Sequence, residues 1–374
     1  MRISPEKLIA PAVLLAATST GSWLEVPFGS FGISIEHILL LIYLCFLIFQ
    51  KISHTKLEFG FVAMVTLILS ILGAVIIQPA NAHLGSLVVL CLMFPLFIRY
   101  FENVANPQQV VIFAFSLLAI QCIFFSHESL EYQTHWDNVM VPGFGVFQRL
   151  AILGFVSNSF GLMLLPFYIF FLNQYRTIKK DKVLNLLMCL VVLGLIVATF
   201  SRTAIVCVVF LTLLMLGFKE LIFVATISLL GAVVDPLELI SSVLLAINRE
   251  QDISENARVY VWIKALTNWG GSDIFTGSGL QNPALDNTYL SIVIGAGSLG
   301  LFALIIFFIS LARWLNRIRK TLPLTYYRLI FGLIGAILIS ANTFDIFSQR
   351  KIIFGFALVL GALLANAKNL HLRR

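Results

Sequence analysis

The chain has 374 residues, of which 59% are hydrophobic and only 11% charged, and its mean hydropathy is +0.97. Soluble domains are about 45–50% apolar, so this composition excludes an ordinary soluble domain and predicts several membrane crossings. The net charge of +7 does not predict nucleic-acid binding, because most basic residues stand in short segments between apolar runs. All five cysteines lie inside apolar runs without CxxC spacing, which favours buried side chains over disulfides or metal ligands.

Apolar runs close to the roughly 20 residues that a bilayer core needs predict an all-α, polytopic transmembrane helical bundle of about twelve spans. The predicted spans lie near 8–20, 31–49, 59–78, 82–98, 107–126, 150–172, 183–199, 203–217, 220–234, 287–311, 327–342 and 351–366. The first run is short and has a charged start, so a cleaved signal peptide is the alternative there. No repeat or long linker is visible, which favours one membrane domain over residues 1–374.

The distribution of Arg and Lys predicts the orientation of these spans. With both termini in the cytoplasm, 18 of the 25 Arg and Lys residues fall in cytoplasmic segments, and the opposite orientation would reverse that bias. Two larger segments, 127–149 and 235–286, then lie on the other side. The larger one contains a short amphipathic helix within ISENARVYVWIKALTNW and a coil that ends at Asp286. We therefore expect the residues that bind substrate or take part in a reaction to lie at that face of the membrane.

Four short motifs follow one another in the second half of the chain. They are Ser-Arg-Thr-Ala at 201–204, RxxxWxxAL at 258–266, a GxG turn at 277–279, and DNTYL at 286–290 followed by GxxGL at 297–301. In this order, and on one side of the membrane, they resemble the O-antigen polymerase and ligase superfamily over about residues 185–310.

The resemblance implies a fold similar to the class C glycosyltransferases, in the bacterial inner membrane, with the active site facing the periplasm. It also implies a glycan donor carried on undecaprenyl diphosphate. A polymerase moves the growing chain onto the next lipid-linked repeat unit, whereas a ligase moves the finished chain onto lipid A core. In the ligases a His typically precedes the Asn of the last motif, and Asp286 in that position favours the polymerase. Whether the product is O-antigen or capsule, and whether a chain-length regulator protein binds, stays open.

Arg202 and Arg258 are the candidate ligands of the lipid diphosphate, because guanidinium groups match phosphate oxygens and stay charged at any pH. Two cations suit a leaving group whose negative charge grows as it departs. The alternatives are that Arg202 snorkels to lipid headgroups and that Arg258 lies on a solvated helix face. Lys264 and Arg149 are further candidates for substrate binding, with a solvated position as the favoured interpretation.

Asp286 is a candidate general base for the acceptor hydroxyl, and it is equally a candidate cap of the next helix. Asn287 and Tyr289 are expected to order the loop and bind sugar. His127 and His135 suggest a metal site, but their HxxxExxxH spacing matches no metal motif, so no metal or other cofactor is expected.

A secondary transporter or polysaccharide flippase is the alternative from another class. That function favours charged or helix-breaking residues near the midplane of repeated halves. The sequence shows no such symmetry, and its polar cluster lies at one surface.

Overall fold

The computed structural model describes residues 5–18, 25–28, 31–34, 38–40, 42–43, 82–124, 136–141, 145–150, 157–177, 181–199, 201–215, 260–267, 274, 287–341 and 350–372. Most of these residues are helical, which confirms the coarse prediction of a helical bundle. The helices are α1 Pro5–Thr18, α2 Ala82–Glu102, α3 Pro107–Phe124, α4 Ser157–Thr177, α5 Lys182–Ala198, α6 Arg202–Met215, α7 Thr288–Thr321, α8 Leu324–Ser340 and α9 Arg350–Leu372. Residues 260–267 are also helical.

Helices α2, α3, α5, α6, α8 and α9 coincide within a few residues with apolar runs of the sequence. The predicted spans 59–78 and 220–234 lie outside the described residues. Within the described part, the segment Gly300–Thr321 is long and apolar enough to cross a membrane. Shorter apolar helices are Pro107–Ala119, Lys182–Ala198, Thr203–Met215, Leu324–Ser340 and Ile352–Ala367.

Two short antiparallel hairpins accompany the helices. Strand β1 (Glu25–Phe28) pairs with β2 (Phe31–Ser34), and β3 (Trp136–Val141) pairs with β4 (Gly145–Leu150). Strand β2 occupies the beginning of the predicted span 31–49, so that prediction starts too early. Phe31 and Ile33 alternate with a glycine and a serine, which is the period of a strand and not of a helix.

Helix α9 lies at the centre of the core. Residues 352–365 are all buried, and the helix packs against α1, α2, α3, α4 and α8. A helix that is apolar on all sides is expected to be enclosed in this way. Gly361 allows the closest approach, because a Cβ there would lie 2.8 Å from the carbonyl oxygen of Phe97 on α2.

Helices α4 and α6 run in the same direction, and α8 runs against them. Gly161, near the start of α4, lies beside Ala204 at the start of α6, and further along Tyr168 shares a 2.8 Å hydrogen bond with Thr212. Cys207 on α6 contacts Ser340, the last residue of α8. The first turns of α4 and α6 therefore meet the last turn of α8, and this end of the bundle is called the motif end.

Candidate functional site

The Ser-Arg-Thr-Ala motif forms a buried turn followed by the first turn of α6. Ser201 caps the helix, because its Oγ accepts a hydrogen bond from the Ala204 N–H at 3.3 Å. Thr199 Oγ1 accepts from the Ser201 N–H at 3.2 Å and donates to the Ile196 carbonyl at 2.6 Å. Both hydroxyl side chains are fully buried. Arg202 is the first residue of α6, so these bonds fix the start of the helix that carries the predicted diphosphate ligand.

Gly161 on α4 supports this turn from the side. A Cβ added there would lie 2.8 Å from Thr199 Oγ1, 3.0 Å from Ala204 Cβ and 3.2 Å from Ser201 Cβ. Only a residue without a side chain fits at this distance. Gly161 is not among the predicted site residues, because nothing in the sequence reports contacts between distant helices.

The DNTYL motif begins α7, and its cap is Asn287. The Asn287 side chain accepts a hydrogen bond from the Leu290 N–H at 3.0 Å, and its backbone is extended. The alternative that Asp286 caps this helix is therefore wrong by one residue. Asp286 itself lies outside the described residues, so its role as a general base stays a prediction.

The end of α8 holds the DNTYL motif in place. The Thr288 N–H donates to the Ala341 carbonyl at 2.9 Å, and the Tyr289 hydroxyl donates to the Leu338 carbonyl at 2.9 Å. The last turn of α8 also contacts α6, since Cys207 Sγ lies 3.4 Å from Ser340 Oγ. The end of α8 thus contacts both DNTYL and α6, the helix that begins within Ser-Arg-Thr-Ala.

Helix α7 folds back on itself at Gly297. This residue has φ 59° and ψ −145°, while the ring centroids of Tyr289 and Phe308 are only 5.8 Å apart. Nineteen residues of straight helix would separate those positions by about 28 Å. Residues 288–296 therefore form a separate half-helix that lies against the following limb, 298–321. The sequence prediction of one continuous span over 287–311 is wrong at this point.

The described part of the RxxxWxxAL motif packs against this half-helix. Ala265 and Ile294 form a buried apolar cluster, and Trp262 and Leu290 pack against it. Lys264, on the same short helix, is exposed, which agrees with a solvated position. Arg258 lies outside the described residues.

Buried polar residues concentrate at the motif end. Those near the start of α6, the start of α7 and the end of α8 are Thr199, Ser201, Asn287, Thr288, Ser291 and Ser340. The N-termini of α4, α6 and α7 meet the C-termini of α5 and α8 here, so helix ends of both signs lie at this end of the bundle.

Arg149 lies on β4, where its Cα pairs with that of Asp137 on β3. Strand β4 packs against α5 and ends at Leu150, and α4 begins at Ser157 at the motif end. Seven residues span at most about 25 Å. The end of β4, one residue after Arg149, therefore lies within about 25 Å of the start of α4.

Among the described residues, no three His, Cys, Asp or Glu side chains are grouped as metal ligands. His127 and His135 lie outside those residues. No protein-family model matches the sequence, and no curated protein matches it. The resemblance to the O-antigen polymerase and ligase superfamily accordingly stays a prediction based on the motifs.

Proposed function

We propose that the chain is a bacterial surface polysaccharide polymerase of the inner membrane. It transfers a glycan from undecaprenyl diphosphate onto the next lipid-linked repeat unit at the periplasmic face, making O-antigen or capsule. The observation that carries this proposal is the meeting of Ser-Arg-Thr-Ala, RxxxWxxAL and DNTYL through α6, the half-helix and the end of α8.

In this proposal the diphosphate binds beside the start of α6. Arg202 is the first residue of that helix, so its charge adds to the positive end of the helix dipole. Arg258 supplies the second guanidinium group from the external segment. Negative charge on the leaving diphosphate increases in the transition state, so fixed positive charge lowers the barrier.

The acceptor binds beside the half-helix. Its hydroxyl oxygen attacks the anomeric carbon, the bond from that carbon to the diphosphate breaks, and Asp286 takes the hydroxyl proton. A single displacement inverts the anomeric centre. The Tyr289 hydroxyl already donates to the Leu338 carbonyl, so we assign Tyr289 to positioning the half-helix, with only its ring available to a sugar.

Exposed apolar side chains support a membrane location with lipid as a partner. They cover one side of α5, α6 and the second limb of α7, and include Leu187, Leu190, Val206, Val209, Leu301, Phe302, Ile305 and Ile309. In water such a surface would be unusually large and apolar. In a bilayer it is the expected surface of a transmembrane bundle.

The test replaces Arg202 and Arg258 separately by Ala in a strain that lacks the native gene. Long polysaccharide chains should disappear in both variants, while the amount of protein in the membrane is unchanged. Arg319→Ala is the matched control, because Arg319 is exposed near the end of α7. Normal chain lengths in both variants would remove the two arginines from the mechanism.

The same strain separates the polymerase from the ligase. Loss of a polymerase leaves single repeat units on the lipid carrier. Loss of a ligase leaves long lipid-linked polymer that is not attached to lipid A core. Reconstitution with defined lipid-linked repeat units then tests the transfer directly.

A further inference from the structure

A second group of buried polar side chains lies at the end of the bundle opposite the motif end. Gln174 on α4 and Asn185 on α5 are both fully buried, and Asn173 is only 2% exposed. Helix α4 ends at Thr177 and α5 begins at Lys182, so Gln174 and Asn185 flank the turn between two packed helices. We call Asn173, Gln174 and Asn185 the amide group.

The amide group has unused hydrogen-bonding capacity. Gln108 Nε2, on α3, donates to Asn185 Oδ1 at 3.2 Å. Within the part of the chain that the structure describes, Asn173 Nδ2, Asn185 Nδ2 and both polar atoms of Gln174 have no hydrogen-bond partner. At the motif end, by contrast, side chains such as Ser201 and Asn287 bond to backbone groups. Buried amides without a partner are strongly unfavourable, and natural proteins usually satisfy them with ordered water.

The two polar atoms of Gln174 indicate what kind of molecule could complete the hydrogen bonds of the amide group. Its Oε1 needs a donor and its Nε2 needs an acceptor. An anion would satisfy only the nitrogen, and a cation would satisfy only the oxygen. Water does both, and it is small enough to fit between closely packed helices.

We propose that the amide group is an internal hydration site, in which ordered water joins Gln174 to the amides of Asn173 and Asn185. The water then connects the end of α4 to the start of α5, and through the bond from Gln108 to the start of α3. Asn366 on α9, which packs against α4, also has an Nδ2 without a hydrogen-bond partner among the described residues and is a further candidate contact. The proposal is independent of the polymerase assignment.

The first test compares the thermal unfolding of the full chain in detergent for wild type, Gln174→Met and Gln109→Met. Met has nearly the shape of Gln but no strong donor or acceptor, and Gln109 is an exposed neighbour on α3 that serves as the matched control. If water bridges Gln174, its replacement leaves that water short of partners, and the Tm should fall by a few degrees. Gln109→Met should leave it unchanged. A higher Tm for Gln174→Met overturns the proposal, because removing a truly unpartnered amide is stabilising.

The second test detects the water directly by hydroxyl-radical footprinting of the wild-type protein. Phe170 and Phe171 are fully buried and lie one helical turn before Gln174. Radicals formed from internal water should label one of them, whereas the equally buried Phe307 on α7 should stay unlabelled. Absence of label on both Phe170 and Phe171 overturns the proposal, whether or not the variant folds.

Discussion

At Gly161, on the first turns of α4, three atoms of the neighbouring turn limit the space for a side chain. The nearest is the hydroxyl oxygen of Thr199, which itself accepts a hydrogen bond from Ser201 and so cannot move alone. Ser201, the residue before Arg202, therefore keeps its position because Gly161 on α4 has no side chain.

Replacing Gly161 by Ala should lower the free energy of unfolding by about 1–3 kcal/mol, because overpacking forces the turn away from α4. Polymer length should fall as well if Arg202 binds the diphosphate. Gly194→Ala is the matched control, since no atom lies within 4 Å of the added Cβ. Alanine in a helix should stabilise that variant by about 0.5–1 kcal/mol. Equal unfolding temperatures for the two variants would contradict the packing argument.

Asn287 offers a second test at the scale of one side chain. Replacement by Ala removes the acceptor for the Leu290 N–H and should cost about 0.5–2 kcal/mol of stability. Asn287→Asp keeps a cap oxygen and should retain most of the stability. Thermal unfolding in detergent separates this effect from any role in sugar binding. An Ala variant as stable as the Asp variant would show that the cap contributes little.

Among the helices, α7 departs most from a simple transmembrane span. Its half-helix is held by α8 at Thr288 and Tyr289, and the chain reverses at Gly297. The backbone angles at Gly297 lie close to a region that is essentially restricted to glycine. The half-helix can lie at the motif end only because this reversal takes place.

Gly297→Ala should open the reversal, because a side chain there costs at least about 1–3 kcal/mol. Spin labels at positions 293 and 308 report the reversal without removing the Tyr289 hydroxyl, in a background where the five cysteines are replaced by serine. The two labels should couple strongly in the parent chain and weakly in Gly297→Ala. Gly335→Ala on α8 is the control, since its added Cβ meets no atom within 4 Å. Unchanged coupling in Gly297→Ala would show that the reversal tolerates a side chain.

The sequence predicts the presence of most described helices, because long apolar runs define them. It does not predict the reversal in α7, since the apolar run continues through Gly297 and hydrophobicity carries no information about direction. The sequence also predicts that the motifs share one face of the membrane, because the distribution of Arg and Lys among the loops and the order of the spans place them there. The hydrogen bonds that hold DNTYL against the end of α8 are accepted by the backbone carbonyls of Leu338 and Ala341, which no side-chain pattern reveals.

At the scale of the whole molecule, Lys264 and the exposed cations near the end of α7 lie toward opposite ends of the second limb of that helix. The second limb, 298–321, is about 35 Å long, comparable to the thickness of a bilayer core. Arg313, Arg319 and Lys320 are exposed in its last turns. Lys264 is exposed on the short helix that packs against the half-helix. If the chain spans the membrane as proposed, these two groups face opposite compartments.

Cysteines placed at positions 264 and 319 test this arrangement in the same serine background. An impermeant maleimide should label Lys264→Cys in cells with a permeabilised outer membrane, because that position should face the periplasm. Arg319→Cys should react only after the inner membrane is also opened, since Arg and Lys are retained on the cytoplasmic side. Labelling of both positions from the periplasm would rule out a span between them. Labelling of position 319 alone would show that the orientation is the reverse of the one proposed. The three motifs would then lie in the cytoplasm, where a periplasmic transfer to lipid-linked repeat units could not occur.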